Sequence, residues 1–122
     1  MTQFVKPHSI KEGFQNAFNG LFWAFKNQLN FKLHILSLLL VFMLSLFFKL
    51  NITEWLLVIS VSFMVITLEL INTSIEQTTD AITTEFNPYV KRAKDMSAAS
   101  VLIYAIYAVL VAVLIFLPKV SF

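Results

Sequence analysis

Glu69, Asn72, Glu76 and Asp80 recur at three- and four-residue spacing within one short stretch, Glu69 to Asp80. At about 100° per helical residue they fall within roughly 80° of one another, so one helix face carries three carboxyls and an amide. Oxygen donors in such number on one stripe suit a hard divalent cation and proton transfer. The stretch ends a long apolar run that begins at Trp55. With Trp55 at one membrane interface, a rise of about 1.5 Å per residue places Glu69 roughly 21 Å along and Glu76 roughly 31 Å, against a hydrocarbon core of about 30 Å. Glu69 is then immersed in the far leaflet, whereas Glu76 and Asp80 emerge into water. An acid at that depth costs about 3 kcal/mol on insertion scales, which marks it as functional. A packing carboxylate would explain Glu69 alone, but not three acids and an amide on one stripe.

An immersed and a wet acid divide the labour. The poorly solvated carboxylate of Glu69 is the better proton acceptor towards a hydroxyl at the bilayer surface, and Glu76 can hold a cation. Mg²⁺ is usually held by one or two carboxylates together with substrate phosphates. Lys94, with Arg92 further out, can supply the positive charge that phosphate oxygens need during transfer. Together these parts describe phosphoryl transfer to a membrane alcohol.

The rest of the chain has to position those groups. Of its 122 residues 58% are hydrophobic and only 13% charged, which identifies an integral membrane protein of a single domain, 1–122. Cysteine is absent, which excludes disulfides and thiolate-bound metal, and Gly13 and Gly20 are the only glycines, which excludes a Gly-rich phosphate loop. Ser9 to Glu12 reads as a capping box opening an interfacial helix over 9–27, with Ile10, Phe14, Phe18, Leu21, Phe22 and Phe25 on its apolar side. Membrane-crossing helices are expected over 29–50, 54–83 and 88–117. Asn51 to Glu54 supplies a tight turn and a new N-cap, Asn87-Pro88 opens the last helix, and Pro118 is expected to stop it. The fold class is therefore all-α: three transmembrane helices plus an N-terminal amphipathic helix.

Lys6, Lys11, Lys26, Lys32, Lys91, Arg92 and Lys94 flank one side of the spans, and only Lys49 and Lys119 the other. This asymmetry places the N-terminus, the second loop and the polar face in the cytoplasm, and the C-terminus outside. Ala98, Ala105, Ala108 and Ala112 form a small-residue stripe that permits close helix contact. Three spans enclose four polar groups poorly, so neighbouring protomers are expected to complete the site, unless the interfacial helix alone covers it. For Tyr104 and Tyr107 interhelical hydrogen bonds are expected ahead of lipid contacts, and for His34 a structural role at a helix end ahead of a pH-sensitive or headgroup contact.

Glu69-Leu70-Ile71-Asn72-Thr73-Ser74-Ile75-Glu76, then Asp80, then Arg92-Ala93-Lys94-Asp95-Met96, resembles the prokaryotic diacylglycerol kinase and undecaprenol kinase family of small membrane lipid kinases. The resemblance covers most of the chain. It implies a homotrimer in the bacterial cytoplasmic (inner) membrane, using MgATP at sites shared between protomers. It also implies that Glu69 is the general base on the lipid hydroxyl and Asn72 its orienting neighbour. Glu76 is implied as a metal ligand, and Asp80, Lys94 and Asp95 as nucleotide-site residues. Where the family usually has a second metal-binding acid, this chain has Gln28, whose amide oxygen can ligate Mg²⁺ with less charge. Asn30 to His34 and Ile115 to Lys119 look like the branch acting on undecaprenol, with diacylglycerol the rival acceptor. Two other readings stand beside the kinase: a small oligomeric transporter or proton-relay protein using the buried carboxylates, and a catalytically weakened scaffold. Lys94 and Asp95 separate the first of these, because a cation pathway gains nothing from a lysine at its mouth.

Overall fold

The computed structural model describes Lys6 and residues 9–120. The described residues form four helices, α1 (Ile10–Asn27), α2 (Leu29–Phe47), α3 (Ile52–Ile82) and α4 (Pro88–Val120), and no strand. α2, α3 and α4 are each long and apolar enough to cross a membrane. Large apolar side chains face outward along their whole length, among them Leu39, Leu40, Met43, Phe63, Leu102, Ile103 and Leu114. In water so much exposed apolar surface would be a liability; against lipid it is the solvated face. Residues 1–5 and 121–122, and with them both termini, lie outside the described residues.

Local signals set the helix ends. Ser9 Oγ accepts from Glu12 N at 3.2 Å to start α1. α2 stops at Phe47, short of the expected Leu50, because its last turn closes on itself: Leu50 N donates to Ser45 O at 3.1 Å and Lys49 N to Leu46 O at 3.2 Å. This Schellman arrangement puts Lys49 in the left-handed region at φ 50° and tucks Leu50 into the core. Asn51 then caps α3 reciprocally. Its Oδ1 accepts from Glu54 N at 2.9 Å, and its own N–H donates to Glu54 Oε2 at 3.0 Å. Asn51→Ala is expected to lower stability by about 1 kcal/mol, read as the midpoint of unfolding in detergent, with activity in the folded fraction unchanged. Asn87 Oδ1 caps α4 by accepting from Tyr89 N at 2.9 Å and Val90 N at 3.3 Å.

Pro118 does not end α4, which runs on to Val120. Proline already has a helical φ, and its two costs, the bond lost to the Leu114 carbonyl and the crowding of that carbonyl by the ring, fall in the last turn, where no long helix follows to be displaced. The added turn carries Lys119 to Glu54, Nζ to Oε1 3.0 Å, tying the end of α4 to the start of α3.

α4 packs along α3, α2 along the other side of α3, and α1 against both α2 and α3. Leu50, Val58, Val61, Val111 and Ile115 make the core, with Trp55, Phe42, Phe48 and Phe116 packed around them. Phe42 meets Trp55 edge-on with ring centres 5.9 Å apart. All of this lies at the end of the bundle remote from the polar stripe. Serines and threonines in the apolar runs donate back to their own helix: Ser37 Oγ to Leu33 O at 2.9 Å, Ser45 Oγ to Val41 O at 2.7 Å and Thr67 Oγ1 to Phe63 O at 2.8 Å. Tyr104 and Tyr107 meet edge-on at 5.4 Å, since a spacing of three residues brings their rings together on one helix face, and among the described residues neither makes the expected hydrogen bond across helices.

α1 packs through a face next to the phenylalanine stripe. Ala24 is buried, and a cleft of about 270 Å³ separates Ala17, Gly20 and Trp23 from Leu70, Thr73, Ser74 and Gln77 of α3. Phe14, Phe18 and Phe22 stay exposed, as an amphipathic helix at a membrane surface requires.

Candidate active site

α3 has no proline or glycine to interrupt it, so its polar stripe is one continuous line running from buried to wet. Glu69 is 3% exposed and Asn72 6%; Glu76 is half-buried and Asp80 exposed. Asn72 Nδ2 donates to Glu76 Oε1 at 3.4 Å, which joins two members of the stripe. The Glu69 side chain makes no hydrogen bond among the described residues. What faces it comes from α2: His34 Nε2 lies 3.8 Å from Glu69 Oε2.

Several buried polar groups lack partners. Asn72 Oδ1, Thr73 Oγ1 and Ser97 Oγ have none among the described residues, although serines and threonines elsewhere in the spans satisfy themselves on their own backbone. A buried polar atom left unpaired costs about 1–3 kcal/mol, and sites that bind something are where such costs gather. Asn72 and Thr73 belong to the stripe's own helix, and Ser97 to the α4 turn after Lys94.

The wet end is closed by an ion pair between Lys94 Nζ and Asp80 Oδ1, which links the last turns of α3 to the first turns of α4. Asp95, on the adjoining face of α4, pairs with Lys91 instead, Nζ to Oδ2 2.7 Å, and both are well exposed. Arg92 lies over the Tyr89 ring at 5.0 Å from its centre, and its Nε donates to Pro88 O at 3.3 Å. Gln28, half-buried, is the only residue between α1 and α2, and no hydrogen bond joins its side chain to Glu76 among the described residues. The structure thus groups Glu69 with His34, Asn72 with Glu76, and Asp80 with Lys94. It leaves Gln28 and Asp95 outside these pairings.

His34 was open to discovery by counting. The Schellman turn and the Asn51 cap make α2 and α3 an antiparallel hairpin, in which His34 lies about 14 residues before the turn and Glu69 about 18 after it, levels about one helical turn apart. Side-chain direction decides whether two such residues meet, and a tight turn alone does not supply it.

A buried acid, an amide bridging to a half-buried acid, and a lysine at the exposed end are groups that phosphoryl transfer from a soluble donor to a membrane-bound hydroxyl can use. A sequence profile of the prokaryotic diacylglycerol kinase family matches residues 15–116. The chain belongs to that family. Among its relatives, the undecaprenol kinase of Bacillus subtilis (strain 168) is 33% identical over 108 residues, covering 88% of each chain. The diacylglycerol kinase of Helicobacter pylori (strain 26695) is 34% identical over 118 residues, covering 91% of each. The diacylglycerol kinase of Escherichia coli (strain K12) is 32% identical over 94 residues, covering 77% of each. The protein is a lipid kinase of the membrane, and family membership implies that ATP is its phosphoryl donor. Its membership sets aside the transporter reading that the buried carboxylates alone would allow.

Proposed function

We propose that this kinase transfers the γ-phosphoryl group of ATP to undecaprenol, with Glu69 as general base. The observation that carries the catalytic reading is the burial of Glu69 at the head of an unbroken stripe whose other end is the Asp80–Lys94 pair. The nucleotide reaches the stripe from water and the lipid from the bilayer. Glu69 takes the proton of the lipid hydroxyl, and Asn72, held by Glu76, leaves its Oδ1 free to orient that hydroxyl. Lys94 turns from Asp80 to the phosphate oxygens, and Asp80 and Asp95 frame the nucleotide. Lipid binding is supported by a cleft of about 310 Å³ that runs from His34 into the apolar part of the bundle, lined by His34, Leu38, Val58, Val65 and Ala108. Ala105, Ala108 and Ala112 of the small-residue stripe border it and so leave room for a chain.

The donors on the stripe are all oxygens and suit Mg²⁺. Among the described residues no three acid or histidine side chains gather to cage a metal, which fits an ion bound by one or two side chains together with substrate phosphates. Glu76, with the Gln28 amide, would hold it, and when bound it neutralises charge on the phosphate oxygens. Gln28→Glu is expected to lower the Mg²⁺ concentration for half-maximal rate by about threefold to tenfold, since affinity follows ligand charge. An unchanged Mg²⁺ titration would remove Gln28 from the metal site.

The proposed kinase works as a homotrimer in the bacterial cytoplasmic membrane, with Glu76 and Lys94 on the cytoplasmic side and neighbouring protomers covering the exposed half of each site; the clustering of seven basic residues on that side of the spans supports the orientation. Undecaprenol is favoured by the Asn30 to His34 stretch, and the similarity to named diacylglycerol kinases supports diacylglycerol as the second reading. Phosphate transfer from labelled ATP in mixed micelles offering each lipid separately decides between them. Preferential labelling of undecaprenol is the expected result, and preferential labelling of diacylglycerol would overturn the assignment of acceptor.

A further inference from the structure

A general base gains a proton in every turnover and has to lose it before the next. For Glu69 the way out is narrow. Its side chain is 4% exposed, within the apolar part of α3, and bare charge does not cross hydrocarbon. On its own helix Glu76 lies two turns further on and is engaged by Asn72. α4 carries no titratable group between Ser97 and Leu117 except the two tyrosines, which stack on each other. From α1, packed against α2, the last-turn lysine Lys26 is exposed, as is Lys32 on α2 itself. The group that faces Glu69 is His34, with Nε2 3.8 Å from Glu69 Oε2 and a side chain 25% exposed.

We propose that His34 relays the proton from Glu69 to water; the proposal rests on the reading of Glu69 as general base. The lipid O–H bond breaks and its proton passes to Glu69. The lipid oxygen bonds to the γ-phosphorus while the bond from that phosphorus to the bridging oxygen breaks, its electron pair leaving on ADP. The Glu69 carboxyl then gives its proton to Nε2 of neutral His34. The imidazolium releases a proton to water at headgroup level, and exchange with water restores the starting tautomer. One proton enters and one leaves. The 3.8 Å gap exceeds a hydrogen bond, so transfer needs the side chains to close by about 1 Å or one bridging water. His34 acts through Glu69 and touches no reacting atom, so its role is one of positioning and relay.

The test uses the full-length protein in mixed micelles at saturating MgATP and lipid. His34→Ala is expected to lower kcat by about tenfold to a hundredfold, with KM for ATP changed less than about twofold. Imidazole in the medium should restore kcat in proportion to its neutral form, because the cleft that His34 lines, at about 310 Å³, admits the free base. His34→Gln, which keeps the bulk but cannot relay, should lose kcat similarly and show an increased solvent deuterium effect. An unchanged kcat, a change in KM alone, or a loss that imidazole does not restore overturns the relay. If His34→Ala does not fold, His34→Gln decides: lost kcat with a larger isotope effect supports the relay, and either one without the other overturns it. Glu69→Gln run alongside keeps the two claims apart. Turnover surviving in that variant removes the general base itself, whatever His34 does.

Discussion

Glu69→Gln is expected to lower kcat by about 10²- to 10⁴-fold while MgATP binds as before. The amide keeps the shape and the polar edge of the carboxyl, so a 3% exposed position is neither emptied nor overfilled. It can still meet His34 across the same gap, and no hydrogen bond of the native carboxylate is lost among the described residues. What disappears is the capacity to accept a proton. With the nucleotide at the Asp80–Lys94 end of the stripe, as proposed, its dissociation constant should stay within about twofold. Steady-state turnover with a parallel nucleotide-binding titration checks both halves. Native-like turnover would remove Glu69 from the chemistry, and a parallel loss of nucleotide affinity would recast it as part of the binding site.

Lys94→Met carries the second large effect, a loss of about 10³-fold in kcat/KM for ATP, the scale seen when a cation that stabilises transferring phosphate is removed. Stability cannot account for a loss of that size. The Asp80–Lys94 pair is partly exposed, 58% and 37% by side chain, and such pairs contribute about 1 kcal/mol or less. Asp80→Asn breaks the same pair from its other side but leaves the lysine charge in place, so it should retain far more activity. Equal, modest losses in the two variants would show that the pair only fastens α4 to α3, and would withdraw Lys94 from the phosphates.

The stripe on α3 was legible because a helix converts spacing directly into facing, and because an acid in an apolar run has few structural excuses. The helix starts were legible for a related reason. Ser9, Asn51 and Asn87 act on backbone groups only two or three residues away. The ends were harder. Phe47 ends α2 through a left-handed Lys49 that no glycine announces, and Pro118 continues α4 because one missing donor does not outweigh packing and the Lys119–Glu54 pair. Partner choice was illegible wherever two side chains competed. Asp95 could have turned towards Asp80 and Lys94, yet Lys91 one turn back takes it. His34 stayed ambiguous because its meaning depends on a residue of another helix.

Gln28 has a mechanical side as well. α1 and α2 are separated by this residue alone, at φ −111° and ψ 112°, and each helix grips it: its N–H donates to Ala24 O at 2.8 Å, and its carbonyl accepts from Lys32 N at 3.2 Å. A single residue offers two soft torsions. The angle between α1 and α2 is therefore set by these two torsions and by the packing of α1 on α2 and α3, and the Gln28 side chain sits at the vertex.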